Sequence, residues 1–423
     1  MTVRLLFMAM SSAGFGETLI GMSLARQLRR AGVQSHFVID GTSETLLRGS
    51  EFTYTVLDAS MGPLARLLVD EVVDGFRPDA IVLSDYFTFH GVFSKRFRLD
   101  AWFVESYGLP ILPIDIWEWD RSPFKVDVFV GKHLDVSRHI LELPVYLRPV
   151  PVAHLDDGGD PKVLPFRLWE GDEKVTRRTR NHLRTTFGAP PGARLVLLAV
   201  AGWQQGKYDD DNGDRIAAKV PELLAHYLAQ LPEQAHFVIV GTVPPALRGL
   251  PADRVHTIPS CSPSRFNVLL GSVDLVLTLN VGATTLARAV LSDIPGMCLT
   301  NSHGADGDEG IAKLEGEFGG LSPFVRDWLG ETTPMYPFRM WPLGFHTFLD
   351  PLVTDNPYLS TIVHAELLDE AAVLSGLNRV LFDAGTRDAL AAARAGYLAQ
   401  LARHRDTAQV FADAAALCGL DMG

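Results

Sequence analysis

The sequence predicts an α/β protein of two doubly wound domains in tandem, each a parallel sheet with crossover helices. Three observations predict it. The 423 residues exceed one ordinary core and point to two or three domains. Short apolar runs of strand length alternate with longer segments of helical periodicity. The alternation lapses between residues 116 and 193 and then starts again.

In the first half, "VRLLFM" (3–8) reads as a buried strand. From Glu17 to Ala31, apolar Leu19, Ile20, Met22, Leu24 and Leu28 describe a helix, and Gly32 stands where a C-terminal cap belongs. "SHFVID" is the next strand, a helical segment runs from Pro63 to Val73, and "AIVLSD" (80–85) and "ILPID" (111–115) are further strands. Residues 116–193 carry many Pro, Asp and Arg residues with weak periodicity, and the inter-domain connection falls within 165–190. The second half repeats the pattern, with strands at 194–200, 236–241, 254–258, 274–279 and 296–300 and helical segments at 213–231, 263–272 and 283–293. Residues 301–364 resist assignment, and 366–417 are rich in Ala and Leu and helical. The expected domains are therefore 1–175 and 190–385, with C-terminal helices at 386–423 packing back on the first.

Composition narrows the function. A formal net charge of −12 with interspersed signs argues against nucleic acid or an anionic membrane as the main partner. It leaves room for a nucleotide, whose phosphates backbone N–H groups can bind. Cys261, Cys298 and Cys418 form no CxxC or Cys/His cluster, so neither a disulfide framework nor a zinc site is expected. No apolar run approaches the length of a membrane span, and the first residues read as a strand, so the expected location is the cytoplasm.

The sharpest motif lies in the second half. "LTLNVGATTLARAVLSDIPGMCL" passes from strand to helix through Asn280, Val281, Gly282 and Ala283. Gly282 allows close backbone approach, and the N–H groups near Ala283, Thr284 and Thr285, with the threonine hydroxyls, make a site for a diphosphate. An ordinary strand–turn–helix would use the same residues. The stretch resembles the donor loop of the GT-B glycosyltransferases, such as the antibiotic glycosyltransferases and the peptidoglycan N-acetylglucosaminyltransferase, whose pattern is H-G-G-x-G-T-T-x-E-x-x-x-x-G-x-P. Aligned on Pro295, the chain has Asn280 for the histidine, Val281 for a glycine and Arg288 for the acid that often binds ribose. The family's Asp-Gln pair is replaced by "TNSHGADGDEG", which includes His303. "HTIPSCSPSRFNVLLGSVDLVLT" resembles the segment that receives the nucleobase, placing Pro259 and Ser260 at the base. "SSAGFGETLIGMSLARQLRRAG" resembles the family's first loop, which helps hold the acceptor and the reacting sugar, so Gly14, Phe15 and Gly16 fall at the acceptor and Glu17 where a histidine base often sits.

The resemblance implies a GT-B-like fold, two Rossmann-type domains facing across a cleft with C-terminal helices crossing back. It implies transfer of a sugar from a nucleoside-diphosphate sugar (UDP, GDP or dTDP) to a small-molecule acceptor in bacterial, antibiotic-type metabolism. No cofactor and no metal are required, because the helix dipole stands in for the metal. A homodimer is left open. Two other classes stay open: an epimerase or phosphorylase on the same fold, and an inactive partner of a glycosyltransferase.

Among candidate groups, Glu17 is the expected base, although a carboxylate in a first helical turn is favourable on dipole grounds alone. Asp85 ends a strand at the edge where α/β sheets bind ligands and, with His90, is an alternative base or orienting pair. Trp117 and Trp119, among acidic residues, suit a cationic or sugar-like acceptor or, spaced to alternate along one strand face, a core. Gly202 and Trp203 open a loop running to Lys207 that can approach the donor phosphates. The Asp209–Asp211 run fails EF-hand spacing and reads as a solvated turn. Gly14-x-Gly16 followed by Asp40 is a partial dinucleotide fingerprint, with Leu19 where the third glycine belongs. Closure over the substrates would exclude water.

Overall fold

The computed structural model describes residues 2–11, 14–156, 158–169, 175–206, 208 and 210–422. The chain divides into two compact units. The first holds residues up to Phe124, Val136–Gly171 and Gln400–Gly423; the second holds Lys125–Asp135 and Asp172–Ala399.

The first unit begins β1 (Arg4–Ala9), α1 (Gly16–Arg29), β2 (Gln34–Asp40), α2 (Glu44–Leu47), β3 (Thr53–Leu57), α3 (Ala65–Phe76), β4 (Ala80–Leu83), α4 (Tyr86–Gly91) and β5 (Ile111–Pro113). The five strands are parallel in the order β3-β2-β1-β4-β5. β1 and β4 are central, and apart from Arg4 at the start of β1 they are apolar and buried, as a sheet covered on both faces requires. α1 lies unusually close to β4, because a Cβ on Gly21 would sit 2.4 Å from Ser84 Oγ. That approach brings the start of α1 to the start of α4.

The region read as irregular has structure. The hairpin β6 (Lys125–Val128) and β7 (Lys132–Asp135) belongs to the second unit, although the sequence put it in the first. β8 (Tyr146–Val150) and β9 (Val163–Arg167) form a parallel pair in the first unit. α5 (Arg177–Thr186) occupies the expected connection, and residues 170–174 lie outside the described residues. Its polar sequence hid it. Thr176 caps it, and Arg180 and Arg184 anchor it to Asp274, each at 2.8 Å.

The second unit continues β10 (Arg194–Val200), α6 (Asp211–Ala229), β11 (Ala235–Gly241), β12 (Val255–Ile258), α7 (Pro263–Leu270), β13 (Leu275–Thr278), α8 (Thr284–Leu291), β14 (Gly296–Thr300), α9 (Gly307–Phe318), α10 (Pro323–Thr332), α11 (Asp350–Val353), β15 (Ile362–Glu366), α12 (Glu370–Phe382) and α13 (Ala384–Leu401). Its six parallel strands run β12-β11-β10-β13-β14-β15. β15 and the helices between residues 301 and 364 were not legible in the sequence. α14 (Thr407–Leu417) belongs to the first unit, where it packs on α1 and β9. α13 up to Ala399 stays with the second unit, so the expected return from residue 386 begins later. Arg394 of α13 fixes it there through Asp293, at 2.9 Å.

Candidate active site

Both sheets reverse their strand order once, between β1 and β4 in the first and between β10 and β13 in the second. In open α/β sheets the crevice at such a reversal, beyond the carboxyl ends of the strands, is where ligands bind. The loops leaving these four strands carry most of the residues the sequence singled out.

In the first unit, Gly14 donates its N–H to Ser11 Oγ at 3.1 Å, closing the turn into α1. Phe15 and Gly16 are half-buried and lead to Glu17 in the first helical turn. Asp85 follows β4 and caps α4, accepting from Phe87 N at 3.3 Å and Thr88 N at 3.0 Å. Thr88 Oγ1 stands 2.5 Å from Asp85 Oδ2 and 3.4 Å from Glu17 Oε1. One hydroxyl proton thus serves two carboxylates. Given to Asp85, it leaves Glu17 facing lone pairs, an arrangement satisfied when Glu17 is itself protonated. Glu17 Oε2 is buried with no hydrogen-bond partner among the described residues. Burial, and then the charge of Asp85, push the Glu17 carboxyl up to about 7. Burial pushes Asp85 up to about 6, against the donors of Thr88 and Phe87 and the side of Trp117.

Several expectations fail here. His90 is not paired with Asp85. It lies against the Tyr86 ring, and the acid it senses is Asp100. Trp117 and Trp119 are not on a strand, since β5 ends at Pro113 and a turn held by Asp115 follows. Trp119 is only 1% exposed and packs on Tyr86, Phe87 and Phe124, so it is core and not an acceptor platform. The dinucleotide fingerprint fails as well. The Asp40 carboxylate accepts from the N–H groups of Ser11, Thr42 and Ser43 and from Arg96, which fills its lone pairs from within the unit.

In the second unit, Gly202 and Trp203 form a short 3-10 turn after β10, and the Trp203 carbonyl accepts from the Tyr208 hydroxyl. Lys207 and Asp209 lie outside the described residues. Asp210 caps α6 and pairs with Lys132 at 2.5 Å, so the acidic run begins a helix. After β13, Asn280 Oδ1 accepts from Gly282 N at 2.9 Å and the Asn280 carbonyl from Ala283 N at 3.2 Å. The helix that follows starts at Ala283 with no side-chain cap. The N–H groups of Thr284 and Thr285 have no hydrogen-bond partner among the described residues. Asn280 therefore holds the turn in place while leaving the donors of α8 unused. By contrast, Ser262, Ser322 and Asp369 cap their own helices in this unit.

Pro259 and Ser260 are exposed after β12. Arg288 is buried in the second turn of α8 with its guanidinium 5.5 Å from the centre of the Phe266 ring, so it faces α7 and does not stand among the α8 donors. His303 is drawn to α9, with Nδ1 2.8 Å from Glu317 and its ring against Phe318. Residues 335–348, within the region 301–364 that resisted assignment, are laid across the ends of β13 and β14. Trp341 N donates to Leu279 O at 3.0 Å, Val281 N to Arg339 O at 3.1 Å, and Asn301 and Phe338 exchange backbone bonds. Among the described residues no group of three or more His, Cys, Asp or Glu side chains could hold a metal ion, and no helix is long and apolar enough to cross a membrane.

The family model described as a family of unknown function, DUF6365, matches residues 24–419. The chain belongs to this family. No curated protein matches it in sequence. Among solved structures it is similar to the spinosyn forosaminyltransferase SpnP, at 14% identity and a TM-score of 0.55 over 99% of each chain. It is similar to HepE from Anabaena, solved with UDP and glucose, at 14% identity and a TM-score of 0.53 over 99% of each chain. It is also similar to a putative UDP-N-acetylglucosamine 2-epimerase from Listeria monocytogenes, at 13% identity and a TM-score of 0.51 over 96% of this chain and 97% of that one. The fold of this DUF6365 member is thus GT-B, built of two Rossmann-type domains.

Proposed function

We propose that the protein is a glycosyltransferase that moves a sugar from a nucleoside-diphosphate sugar to a small molecule in bacterial natural-product metabolism. The observation that carries the reading is Glu17, a carboxyl at the strand-order reversal of the first sheet with one buried, unpartnered oxygen and a proton affinity raised to about 7. Such a group is matched to taking a proton near neutral pH. In the transfer, the acceptor's X–H proton passes to Glu17 as X bonds the anomeric carbon. The bond from that carbon to the diphosphate breaks, and the diphosphate leaves with the electron pair. The uncapped start of α8, with Thr284 and Thr285, would receive that negative charge. Thr88 helps hold Glu17 in place, and the charge of Asp85 adds to burial in raising its affinity for the proton. HepE, solved with UDP and glucose, shares this fold, which supports a nucleotide sugar as donor. Gly202, Trp203, Pro259 and Ser260 are the remaining candidates around the nucleotide, and no resident cofactor is needed. The place of action is the cytoplasm.

The test is a thermal-shift screen of the full chain against UDP, GDP, dTDP, ADP and CDP, with NAD and NADP as controls. A rise in Tm with one nucleoside diphosphate supports the reading and names the base. A rise with NAD alone, or no rise with any of them, overturns it. An epimerase is the second reading, favoured by the Listeria monocytogenes neighbour. Consumption of a nucleotide sugar to an isomer, with no acceptor present, would select it.

A further inference from the structure

At one edge of the second sheet two histidines face each other across neighbouring strands. β12 is the outermost strand, four residues long, and pairs in parallel with β11. His236 on β11 is 4% exposed, and His256 on β12 is half-buried. His236 Nδ1 lies 3.1 Å from His256 Nε2, and the two rings are within 7° of parallel. The Phe187 ring, at the end of α5, stacks on His256 with centroids 5.4 Å apart. Arg180 and Arg184 of the same helix pair with Asp274, just before β13. α5 therefore meets the sheet at two places, by charge at Asp274 and by ring stacking at His256.

A hydrogen bond between two imidazoles needs one N–H and one bare nitrogen, and a neutral pair supplies both. One added proton can sit on an outer nitrogen and leave the bond intact. A second turns both facing nitrogens into donors and sets two cations side by side. The surroundings oppose even the first. Arg254, at the start of β12, gives its donors to the carbonyls of Ala235, Leu231 and Pro232 and is itself buried. Its charge and that of Arg184 on α5 disfavour a cation at His236, and Asp253 is the acid that offsets them. Burial, and then Arg254, push the proton affinity of His236 down; burial, and then His236, do the same to His256. Both rings are thus neutral at pH 7.

We propose that the His236–His256 pair is a pH-sensitive latch, which fixes β12 and the end of α5 to the sheet while it is neutral and releases both when both rings are protonated. Each ring binds a proton less tightly in the folded chain than at its ordinary value near 6.5. The stability that the pair contributes is therefore complete above that value and is lost as pH falls through the lowered ones. β12 runs directly into Pro259 and Ser260. On the donor reading above, acid would then weaken nucleotide binding as well, but the latch itself does not depend on that reading.

The experiment is hydrogen–deuterium exchange of the full chain at about pH 5 and about pH 8, corrected for intrinsic rates, in peptides covering 177–188 and 254–260. Both should exchange about 10-fold faster at the lower pH, the effect of one pKa unit on a local opening, while β10 and β13 keep their protection. His256→Phe can still stack on Phe187 but takes up no proton, and should show no such acceleration. No acceleration in the wild type, or equal acceleration in His256→Phe, overturns the latch. A second measurement needs no variant. The C2–H proton resonances of both rings should titrate below the ordinary histidine range, and titration at the ordinary value overturns the proposal too. Neither readout uses a nucleotide, so failure of the latch and failure of the donor reading are told apart.

Discussion

The carboxyl ends of the two sheets are built on the same plan and carry opposite polarity. In each, the strand order reverses once, and the loops leaving the two strands at the reversal each lead towards a helix. In the first unit those loops place Glu17 and Asp85 side by side, 2% exposed in the case of Asp85, with one shared threonine between them. In the second they place bare N–H groups and two threonines. On the function proposed above, the first end would accept a proton and the second an anion.

The largest test of this contrast is Glu17→Gln, which keeps shape and removes the base. Transfer activity should fall by about 100- to 10,000-fold, as for loss of a general base, with nucleotide affinity unchanged. In the wild type kcat/KM should rise with pH through about 7, following ionisation of Glu17. A variant that keeps its activity would leave the first end without a chemical role. The matching test of the second end is the double substitution Thr284→Ala and Thr285→Ala. It removes two hydroxyl donors but spares the backbone N–H groups, so affinity for a nucleoside diphosphate should drop by about 10-fold, near the net worth of one or two neutral hydrogen bonds. Titration calorimetry reads it directly.

A third test links the two acids. Asp85→Asn removes the charge that helps hold the Glu17 proton but retains a side chain able to cap α4. The rising limb of the pH profile should move to lower pH. A profile that does not move would mean the two carboxylates do not feel each other.

The sequence made the sheets legible because parallel strands buried on both faces are near-continuous apolar runs. β1, β4, β10, β11 and β14 were found for that reason. It did not reveal α5, a helix with hardly an apolar face, or β15, whose outward positions hide its period. The candidate residues on the two reversal loops could be placed because a loop's position follows from its strand. Partnerships could not. His90 was paired with Asp85 by proximity in sequence, yet a short helix carries it away to Tyr86. Trp117 and Trp119 alternate like strand residues, but Asp115 turns the chain before they are reached. The Asp127 carboxylate accepts from the N–H groups of His346 and Phe348, more than 200 residues away, a contact that no local pattern announces.

The smallest effect is one of stability, and it separates a strained base from a merely buried acid. Glu17 binds its proton more tightly in the folded chain, at about 7, than at its ordinary value near 4.5. Between those values the native state therefore holds more protons than the unfolded one, so the stability contributed by this group is complete below the lower value and is lost as pH rises through the higher. Asp85, raised to about 6, acts in the same direction over a lower window. Glu17→Gln has no proton to lose. Its Tm should match the wild type at pH 4.5 and exceed it at pH 8, the gap opening between those limits. The Asp85→Asn variant should close part of that gap by relieving the repulsion from the other side. Equal Tm curves for wild type and Glu17→Gln across this range would show that Glu17 is ionised in the folded state at little cost. The first sheet end would then be no more poised for chemistry than an ordinary acidic turn.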